Sequence, residues 1–272
     1  MNQVIKKVLR HFYKFMRDVV DGFIGLCCDL TALFSKNIVK ASAIKGKYEG
    51  KRCFVVCNGP SLRPEDLTKI YKNGDVSVAM NMIGRVYGDT PWRPNVLVHT
   101  DASVFSPNNK ETALRTEAEY RVYKRKDFWK TRKAPGNKIY ERLINTRNLL
   151  DNPCFTMDSS KFQYSIGTTT YEAIEWAVHL GCKEIYLLGC DMSYSYNMMR
   201  DGTIVRNESG KDYFYSSSSE MPDKINIVPT WEMNTAYEAA EEFSRELGFR
   251  IYNATRGGKL EVFERVDFDS LF

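Results

Sequence analysis

The chain has 272 residues, of which 43% are hydrophobic and 27% are charged, a globular composition that excludes a disordered chain, a collagen and a low-complexity fibre. The formal net charge is +5, but residues 1–47 hold nine basic and three acidic side chains, whereas residues 48–272 hold 30 basic and 31 acidic ones. The body of the chain is therefore close to neutral, which argues against a nucleic acid as its partner.

The segment 1–47 is predicted to be a basic amphipathic helical extension. Its apolar residues recur at helical spacing: Val4, Ile5, Val8, Leu9, Phe12, Phe15, Met16, Val19, Val20 and Phe23. Basic residues fill the other face: Lys6, Lys7, Arg10, Lys14 and Arg17. Two interpretations stay open. Residues 1–26 lie on an anionic membrane surface, or the helix packs on the domain or on a second subunit of a homo-oligomer.

The N-terminus has neither the cleavage site of a signal peptide nor the roughly 18 uninterrupted apolar residues of a membrane span. The chain contains seven cysteines and three histidines, at spacings that fit no zinc site. We interpret the cysteines as reduced core residues of a cytoplasmic protein. The predicted location is therefore the cytoplasm, with peripheral contact to the inner face of the membrane if the N-terminal helix binds lipid.

From about residue 50 onward, short β-branched and aromatic runs alternate with helical patterns. Strands are predicted at the start of KRCFVVCNGPSL (51–62) and over 75–81, 95–101, 183–191 and 249–254. Helices are predicted over 165–181 and 231–248, each ending in a glycine. This alternation predicts that residues 48–272 form one α/β domain, a Rossmann-like, mainly parallel sheet flanked by helices.

Two stretches of this domain lack clear strand or helix patterns. Residues 110–147 hold twelve basic and five acidic side chains, which suits either a basic flap over a phosphate-bearing ligand or a solvated insertion. Residues 192–230 form a long irregular stretch, which predicts a mobile lid or a disordered loop.

Polar residues follow four of the predicted strands, and the carboxyl ends of parallel strands are where ligands bind in this fold class. The first strand ends in a tight turn that contains Asn58, Gly59 and Ser61, and the second ends at Asn81. Backbone N–H groups at such a turn can hold a phosphate. The same sequence also forms ordinary turns, so this motif alone is not specific.

A second candidate phosphate site is the start of the helix 165–181. Ser165, Gly167 and Thr168 precede its apolar face, and glycine, hydroxyl groups and free helix N–H groups together suit an anion. The alternative is an ordinary threonine N-cap.

Asp101 and Asp191 each end a predicted strand. Two carboxylates beside a phosphate pocket suit a divalent cation such as Mg²⁺, whereas single aspartates at such turns also cap helices. Tyr194 is placed to stack on a base or to donate its hydroxyl group, and otherwise anchors a loop. Arg256 follows the last strand, where a planar guanidinium would suit a phosphate.

Four blocks in this order resemble the bacterial members of the MptE-like family, which is named after 6-hydroxymethyl-7,8-dihydropterin diphosphokinase: VVCNGPSL, DVSVAMN with WRPNVLVHTD, SIGTTTYEAIEWAVHLGCKEIYLLGCDMSY, and IYNATRGGKLEVF. The blocks are more distantly similar to bacterial sialyltransferases that use CMP-sialic acid. That resemblance implies that one set of residues lines a nucleotide pocket: Asn58, Gly59, Ser61, Asn81, Ser165, Gly167, Thr168 and Asp191.

In the sialyltransferases a histidine after the fourth strand acts as general base, but residues 192–230 contain none. Tyr213 or Asp212 would have to replace it. We therefore interpret the chain as a nucleotide-dependent transferase whose catalytic candidates are Asp191, Asp101 and Tyr213. The favoured reaction moves a sugar from a nucleotide-activated donor of the CMP-sugar type to a glycan or lipid-linked acceptor. The alternatives are pyrophosphoryl transfer from ATP with Mg²⁺ to a hydroxymethylpterin, and a nucleotide-binding scaffold without catalysis.

Overall fold

The computed structural model describes residues 3–145, 148–215 and 229–272. Twelve strands are present in these ranges: β1 Arg52–Val56, β2 Val76–Met80, β3 Val96–His99, β4 Tyr120–Lys124, β5 Asn137–Glu141, β6 Leu143–Ile144, β7 Gln163–Tyr164, β8 Glu184–Leu188, β9 Tyr196–Met198, β10 Ile204–Arg206, β11 Arg250–Asn253 and β12 Glu264–Arg265. Eight of them form one sheet in the order β12-β11-β8-β1-β2-β3-β4-β5. Every neighbouring pair in this sheet is parallel, so the predicted Rossmann-like α/β fold is confirmed.

Helices cover both faces of the sheet, and seven α-helices lie in the described ranges: α1 Gln3–Phe34, α2 Pro64–Asn73, α3 Lys110–Arg115, α4 Phe128–Thr131, α5 Asn148–Asp151, α6 Thr169–His179 and α7 Thr230–Leu247. Along β1, Cys53 and Val55 pack with α6 and α7, whereas Phe54 and Val56 pack with α2. The strand sequences are apolar on both faces because both faces are buried. Within the described ranges, no helix has the length and apolar character that crossing a membrane requires.

The stretch 110–147 corrects the sequence analysis, because it supplies β4 and β5 of the central sheet rather than a flap or a solvated insertion. These strands carry buried charged residues, which conceal the usual apolar pattern. Arg121 and Lys138 are both 2% exposed. The Arg121 guanidinium donates to the carbonyl oxygen of Leu114, and the Lys138 ammonium donates to that of Ala134. Backbone oxygens therefore satisfy charges that the sequence alone assigns to solvent.

The stretch 192–230 is partly ordered by a hairpin. β9 and β10 pair antiparallel, with Val205 opposite Asn197. The following segment returns to the sheet, where the Phe214 N–H donates to the carbonyl oxygen of Asn58 at 3.0 Å. The prediction of a disordered loop is therefore wrong for residues 192–215, whereas the mobile lid stays a prediction, and residues 216–228 lie outside the described ranges.

Among the described side chains of α1, those of Ile24, Cys27 and Cys28 contact an aromatic cluster of the body. Ile24 and Cys28 are buried against Tyr123, Phe128 and Tyr140. Another side of α1 presents large apolar side chains to solvent, which we call the exposed stripe: Phe12, Met16, Val19, Val20, Phe23, Leu26, Leu30, Leu33 and Phe34.

The chain after α1 continues onto the body. The Val39 N–H donates to the carbonyl oxygen of Lys138, and the Lys138 N–H donates to that of Asn37, both at 2.8 Å. Ala41 and Ile44 then enter the main core. The last part of the segment 1–47 is thus attached to the edge strand β5.

Candidate functional site

A cavity of about 160 Å³ lies at the carboxyl ends of β1, β2, β3 and β8. It brings together most of the residues singled out from the sequence: Asn58, Gly59, Asn81, Asp101, Gly167, Thr168, Asp191, Tyr194 and Tyr213. They come from segments that are far apart in the chain and meet because parallel strands end at one edge of the sheet. The cavity is smaller than the several hundred Å³ of a typical small-molecule site, so part of a bound nucleotide would extend beyond it.

The floor of the cavity is built on a close approach between Gly59 and Asp191. The Gly59 N–H donates to the carbonyl oxygen of Gly189 at 2.9 Å. A Cβ atom on Gly59 would lie 2.1 Å from Asp191 Oδ2 and 2.5 Å from that same carbonyl oxygen. Glycine is therefore required in this turn because any side chain would displace the carboxylate.

Ser61 fixes the position of the Asp191 carboxylate through two hydrogen bonds. Its N–H and its Oγ–H both donate to Asp191 Oδ2, at 3.3 and 2.8 Å. Burial raises the pKa of Asp191, and the hydrogen bonds from Ser61 act in the opposite direction. Ser61 itself does not line the cavity, so it positions the aspartate rather than touching a ligand.

Two asparagines at neighbouring strand ends present unpartnered oxygens. Asn58 Nδ2 donates to the carbonyl oxygen of Met80 at 3.1 Å, and Asn81 Nδ2 lies 3.5 Å from Thr169 Oγ1. The Oδ1 atoms of both asparagines are buried and have no hydrogen-bond partner among the described residues. Since buried polar atoms are normally paired, these two oxygens suit N–H or O–H donors of a ligand.

Backbone strain is concentrated at the same place. Asn81 and Met192 have φ values of 52° and 51°, in the left-handed region that non-glycine residues rarely adopt. Both residues line the cavity. Strain of this kind persists where the surrounding structure enforces it, commonly at binding sites.

The start of α6 forms the wall that suits an anion. Gly167 has a φ of +62°, and a Cβ atom there would lie 2.9 Å from the carbonyl oxygen of Glu232. Thr168 caps the helix, accepting a hydrogen bond from the Thr170 N–H at 3.2 Å. The predicted N-cap is therefore present, and it also lines the cavity. The positive end of the α6 dipole thus lies beside the space that a phosphate would fill.

Residues 192–215 form the remaining wall. Met192 and Lys211, which the sequence analysis did not select, line the cavity together with Asp212, which it named as a replacement base. Asp212 is fixed by the Ser195 N–H, which donates to its Oδ1 at 2.8 Å. Lys211 is the basic residue of the lining, and its ammonium group has no side-chain partner among the described residues. The sequence signal that could have identified Lys211 is its position as a basic residue in the predicted lid 192–230.

The tyrosines of this wall keep their protons at neutral pH. Burial, with a contribution from Asp101, raises the pKa of Tyr213 to about 12. Burial also raises the pKa of Tyr194. Tyr213 is therefore suited to donate a hydrogen bond and poorly suited to act as a general base.

Asp101 both caps a turn and faces the cavity. Its Oδ1 accepts a hydrogen bond at 2.7 Å from the N–H of Ser103, in the 3₁₀ turn Ala102–Phe105. No group of three or more His, Cys, Asp or Glu side chains that could hold a metal occurs in the described residues. The pair Asp101 and Asp191 would fit Mg²⁺ only together with phosphate oxygens and water, which is how Mg²⁺ is commonly held.

The structure does not bring Ser165 or Arg256 to the cavity lining. The Ser165 N–H instead donates to the carbonyl oxygen of Ile144 at 2.9 Å. Arg256 lies 3.0 Å from the buried carboxylate of Asp66 and 2.8 Å from Asp269. These carboxylates raise the pKa of Arg256 further. The expectation that Arg256 holds a phosphate is corrected, because the two aspartates already engage its guanidinium.

A second, more open groove of about 700 Å³ adjoins the cavity, and Met192 lines both. Trp231 lies in this groove with the Arg200 guanidinium 5.1 Å from its ring centroid. Lys259 also lines the groove, and its backbone N–H donates to the carbonyl oxygen of Asp191 at 2.7 Å. Neither Arg200 nor Lys259 forms an ion pair with a described residue, and Asp201 also lines the groove, so its lining carries two positive charges and one negative charge.

Comparison with known proteins identifies a family and several similar solved structures. The model of the family described as 6-hydroxymethylpterin diphosphokinase MptE-like matches residues 30–197, more than half of the chain. No curated protein sequence matches the chain.

The MAf glycosyltransferase structure from Magnetospirillum magneticum AMB-1 is similar with a TM-score of 0.50 and 14% identity, over 86% of this chain and 38% of that one. The sialyltransferase CstII structure from Campylobacter jejuni, in complex with a substrate analogue, cytidine-5'-monophosphate, gives a TM-score of 0.45 and 16% identity over 80% and 85% of the two chains. At 14% identity the likeness to the MAf glycosyltransferase concerns the fold alone. The chain spans well under half the length of the MAf protein.

Proposed function

Because the chain belongs to the 6-hydroxymethylpterin diphosphokinase MptE-like family, we propose that it is a transferase that binds a nucleotide-activated donor at the carboxyl ends of its strands. The donor is a nucleotide sugar of the CMP-sugar type, and the reaction moves the sugar to a glycan or lipid-linked acceptor in surface glycan assembly. The resemblance of the strand-end motifs to the sialyltransferase pattern supports the donor class.

The observation that carries this proposal is the composition of the cavity. Asn58 and Asn81 offer two unpartnered acceptor atoms, which suit the amino and hydroxyl groups of a nucleoside. The N-terminus of α6 and the ammonium group of Lys211 offer positive charge, which suits the phosphate. These acceptor atoms, together with the ammonium group and the helix N-terminus, complement a nucleoside phosphate.

The reaction breaks the bond between the anomeric carbon and the phosphate oxygen and forms a bond from that carbon to an acceptor hydroxyl oxygen. The acceptor proton passes to a base, and the nucleotide leaves with the electron pair. We assign the proton to Asp191, because its burial-raised pKa favours proton uptake. The neutral hydroxyl of Tyr213 and the Lys211 ammonium would stabilise the charge that develops on the leaving phosphate.

The acceptor would enter through the neighbouring groove. Met192 separates the two spaces, so a molecule in the groove would lie next to the donor. The unpaired charges of Arg200 and Lys259 outnumber the single carboxylate of Asp201 in the groove, which favours an acceptor with a phosphate or carboxylate group.

The family description favours a second candidate, pyrophosphoryl transfer from ATP to a hydroxymethylpterin. Asp101 and Asp191 would then hold Mg²⁺ with the ATP phosphates. Mg²⁺ would neutralise charge on the transferred group, while Asp101 and Asp191 would fix its position.

Calorimetric titration with CMP, CDP, AMP, ATP with Mg²⁺, and 6-hydroxymethyl-7,8-dihydropterin separates the candidates. We expect the cytidine nucleotides to bind and the pterin not to bind. Joint binding of ATP and the pterin would establish the second candidate instead, and a chain that binds no nucleotide would be neither enzyme. In the active protein, Asp191→Asn should abolish turnover while the fold is retained, and unchanged turnover would remove Asp191 from the mechanism.

A further inference from the structure

The exposed stripe of α1 is a large apolar surface that the body leaves uncovered. Its side chains are between 42% and 89% exposed. At about 100° per residue, its positions fall within an arc of about 140° on one face of the helix. A monomeric soluble protein rarely exposes so continuous an apolar patch, so this face is expected to bind something.

The body cannot cover the stripe without releasing contacts that it already makes. Ile24 and Cys28, on a different side of the helix, are packed against Tyr123 and Tyr140. Gly25 lies so close to Arg125 that a Cβ atom would be 2.8 Å from its Nη1. The buried side therefore fixes the rotation of α1, and the stripe faces outward.

The width of the stripe favours a membrane over a second copy of the chain. Phe12, Met16 and Val19 begin a spacing of alternately four and three residues that would also suit a coiled-coil seam. In a coiled coil the flanking positions are usually charged. Here Val20 and Phe34 flank the seam and widen the apolar face, which is typical of helices that lie in a lipid interface.

The charges along α1 match an anionic lipid surface. The first 17 residues of the sequence include five basic residues and no acidic one, and these positions are interleaved with apolar ones at helical spacing. Acidic residues begin at Asp18. Lys and Arg beside a buried apolar face add electrostatic attraction to anionic headgroups.

We propose that α1 lies along the surface of an anionic membrane, with the exposed stripe inserted among the lipid headgroups. The helix meets Arg125, which directly follows the carboxyl end of β4. The cavity lies at the carboxyl ends of the same sheet, so membrane binding would hold that edge near the lipid. This placement does not depend on which reaction the cavity performs.

The test uses the full-length chain and flotation with two kinds of vesicle, one of phosphatidylcholine alone and one of phosphatidylcholine with phosphatidylglycerol in a two-to-one ratio. We expect binding to the anionic vesicles, weaker binding at high salt, and little binding to the neutral ones. The double change Phe23→Glu with Leu30→Glu should lower the bound fraction by about tenfold or more, because it places charge in the inserted face. Tyr71→Glu, an equally drastic change at a 55% exposed position of α2, is the control and should bind like the original chain.

Sedimentation analysis of the same variants tests the alternative that a second copy of the chain covers the exposed stripe. If the original chain is a dimer that Phe23→Glu with Leu30→Glu dissociates, and vesicle binding is absent, the stripe is a subunit interface and the proposal is wrong. Vesicle binding that is unaffected by the double change would also overturn it. Circular dichroism of the variants confirms that the helix content is unchanged, and nucleotide titration reports on the cavity separately.

Discussion

At the carboxyl edge of the central sheet, some strands end at an open cavity and others end against packed side chains. β1, β2, β3 and β8 end at the cavity, where Asn58, Asn81, Asp101 and Asp191 follow them. β4 and β5 end beneath α1, where an aromatic cluster fills the space. Parallel topology creates a ligand-binding edge along the whole sheet, and the residues after each strand decide whether that edge is left open or packed.

The two regions differ in what lies against the closest backbone. In the open region, rigid groups surround Gly59, namely a hydrogen-bonded carboxylate and a backbone oxygen. In the covered region, Gly25 faces the end of the flexible Arg125 side chain. An added methyl group must displace its neighbours where these are rigid and tightly packed, whereas a flexible side chain can move aside. The following four changes test this difference, from the largest expected effect to the smallest.

Gly59→Ala should have the largest effect. The added methyl group would collide with Asp191 and Gly189, so we expect the free energy of unfolding to fall by about 3 kcal/mol and nucleotide binding to be lost. Denaturant titration and calorimetry measure the two effects. Gly88→Ala is the matched control, since a Cβ atom there has no neighbour within 4 Å. Equal behaviour of the two variants would show that the floor of the cavity is pliable.

Glu172→Gln tests the boundary between the two regions. Thr100, which follows β3, and Lys124 of β4 both lower the pKa of the Glu172 carboxyl group. Burial raises the pKa of Glu172 to about 7, against the lowering effects of Ser165, Thr100 and Lys124. The ordinary value is 4.5.

Between these two pH values the folded protein retains a proton that the unfolded chain has lost. The contribution of Glu172 to stability is therefore complete below pH 4.5 and disappears as the pH rises through 7, by up to about 3 kcal/mol. The glutamine variant should lack this part of the pH dependence, so it should be more stable than the original chain at pH 8. Denaturation curves from pH 4.5 to pH 8 measure the difference, and parallel curves for both proteins would contradict the prediction.

Lys211→Ala should weaken nucleotide binding by about tenfold without a change in stability, because it removes a charge from the cavity wall but no core contact. Calorimetry at low and high salt measures the loss, which should be smaller at high salt. Lys161→Ala is the control, because Lys161 is also an exposed lysine but does not line the cavity. The same loss in both variants would indicate a general charge effect.

Gly25→Ala should have the smallest effect, within about 0.5 kcal/mol of zero, because the shift of the Arg125 guanidinium offsets the better helix propensity of alanine. Gly22→Ala gains the same propensity with no neighbour within 4 Å of the new atom, so it should stabilise the chain by up to about 1 kcal/mol. Thermal unfolding of both variants gives the difference. A large loss in Gly25→Ala would mean that the covered region is as rigid as the open one.

The open region was largely predictable from the sequence, and the covered region was not. Strands such as VSVAM are apolar on both faces, and polar residues follow them directly, so both the fold and most cavity residues could be inferred. β4 and β5 carry Arg121, Lys138 and Glu141 in buried positions. Charged residues are expected at the surface, so the pattern concealed both strands.

Loop geometry accounts for the remaining differences in the site. Arg256 follows a strand end as predicted, but its guanidinium forms an ion pair with Asp66 at the start of α2. Lys211 reaches the cavity only because the segment after β10 returns to Asn58, and no periodic pattern encodes that return. Side chains at strand ends can be placed from the sequence, whereas the partners that compete for them depend on distant packing.

The strand order also determines when the binding site can form as the chain folds. Strand β1 lies between β2 and β8, and Ser61 and Asp191, which meet at the cavity floor, are 130 residues apart in the chain. Contacts at such separation slow folding, and a chain still being synthesised has the Gly59 turn long before its carboxylate partner exists. A ligand of the cavity therefore has no site on the nascent chain. Its stabilising effect arises only once synthesis has passed α7, whose Met233 and Tyr237 also line the cavity, as mass action on the nearly finished fold.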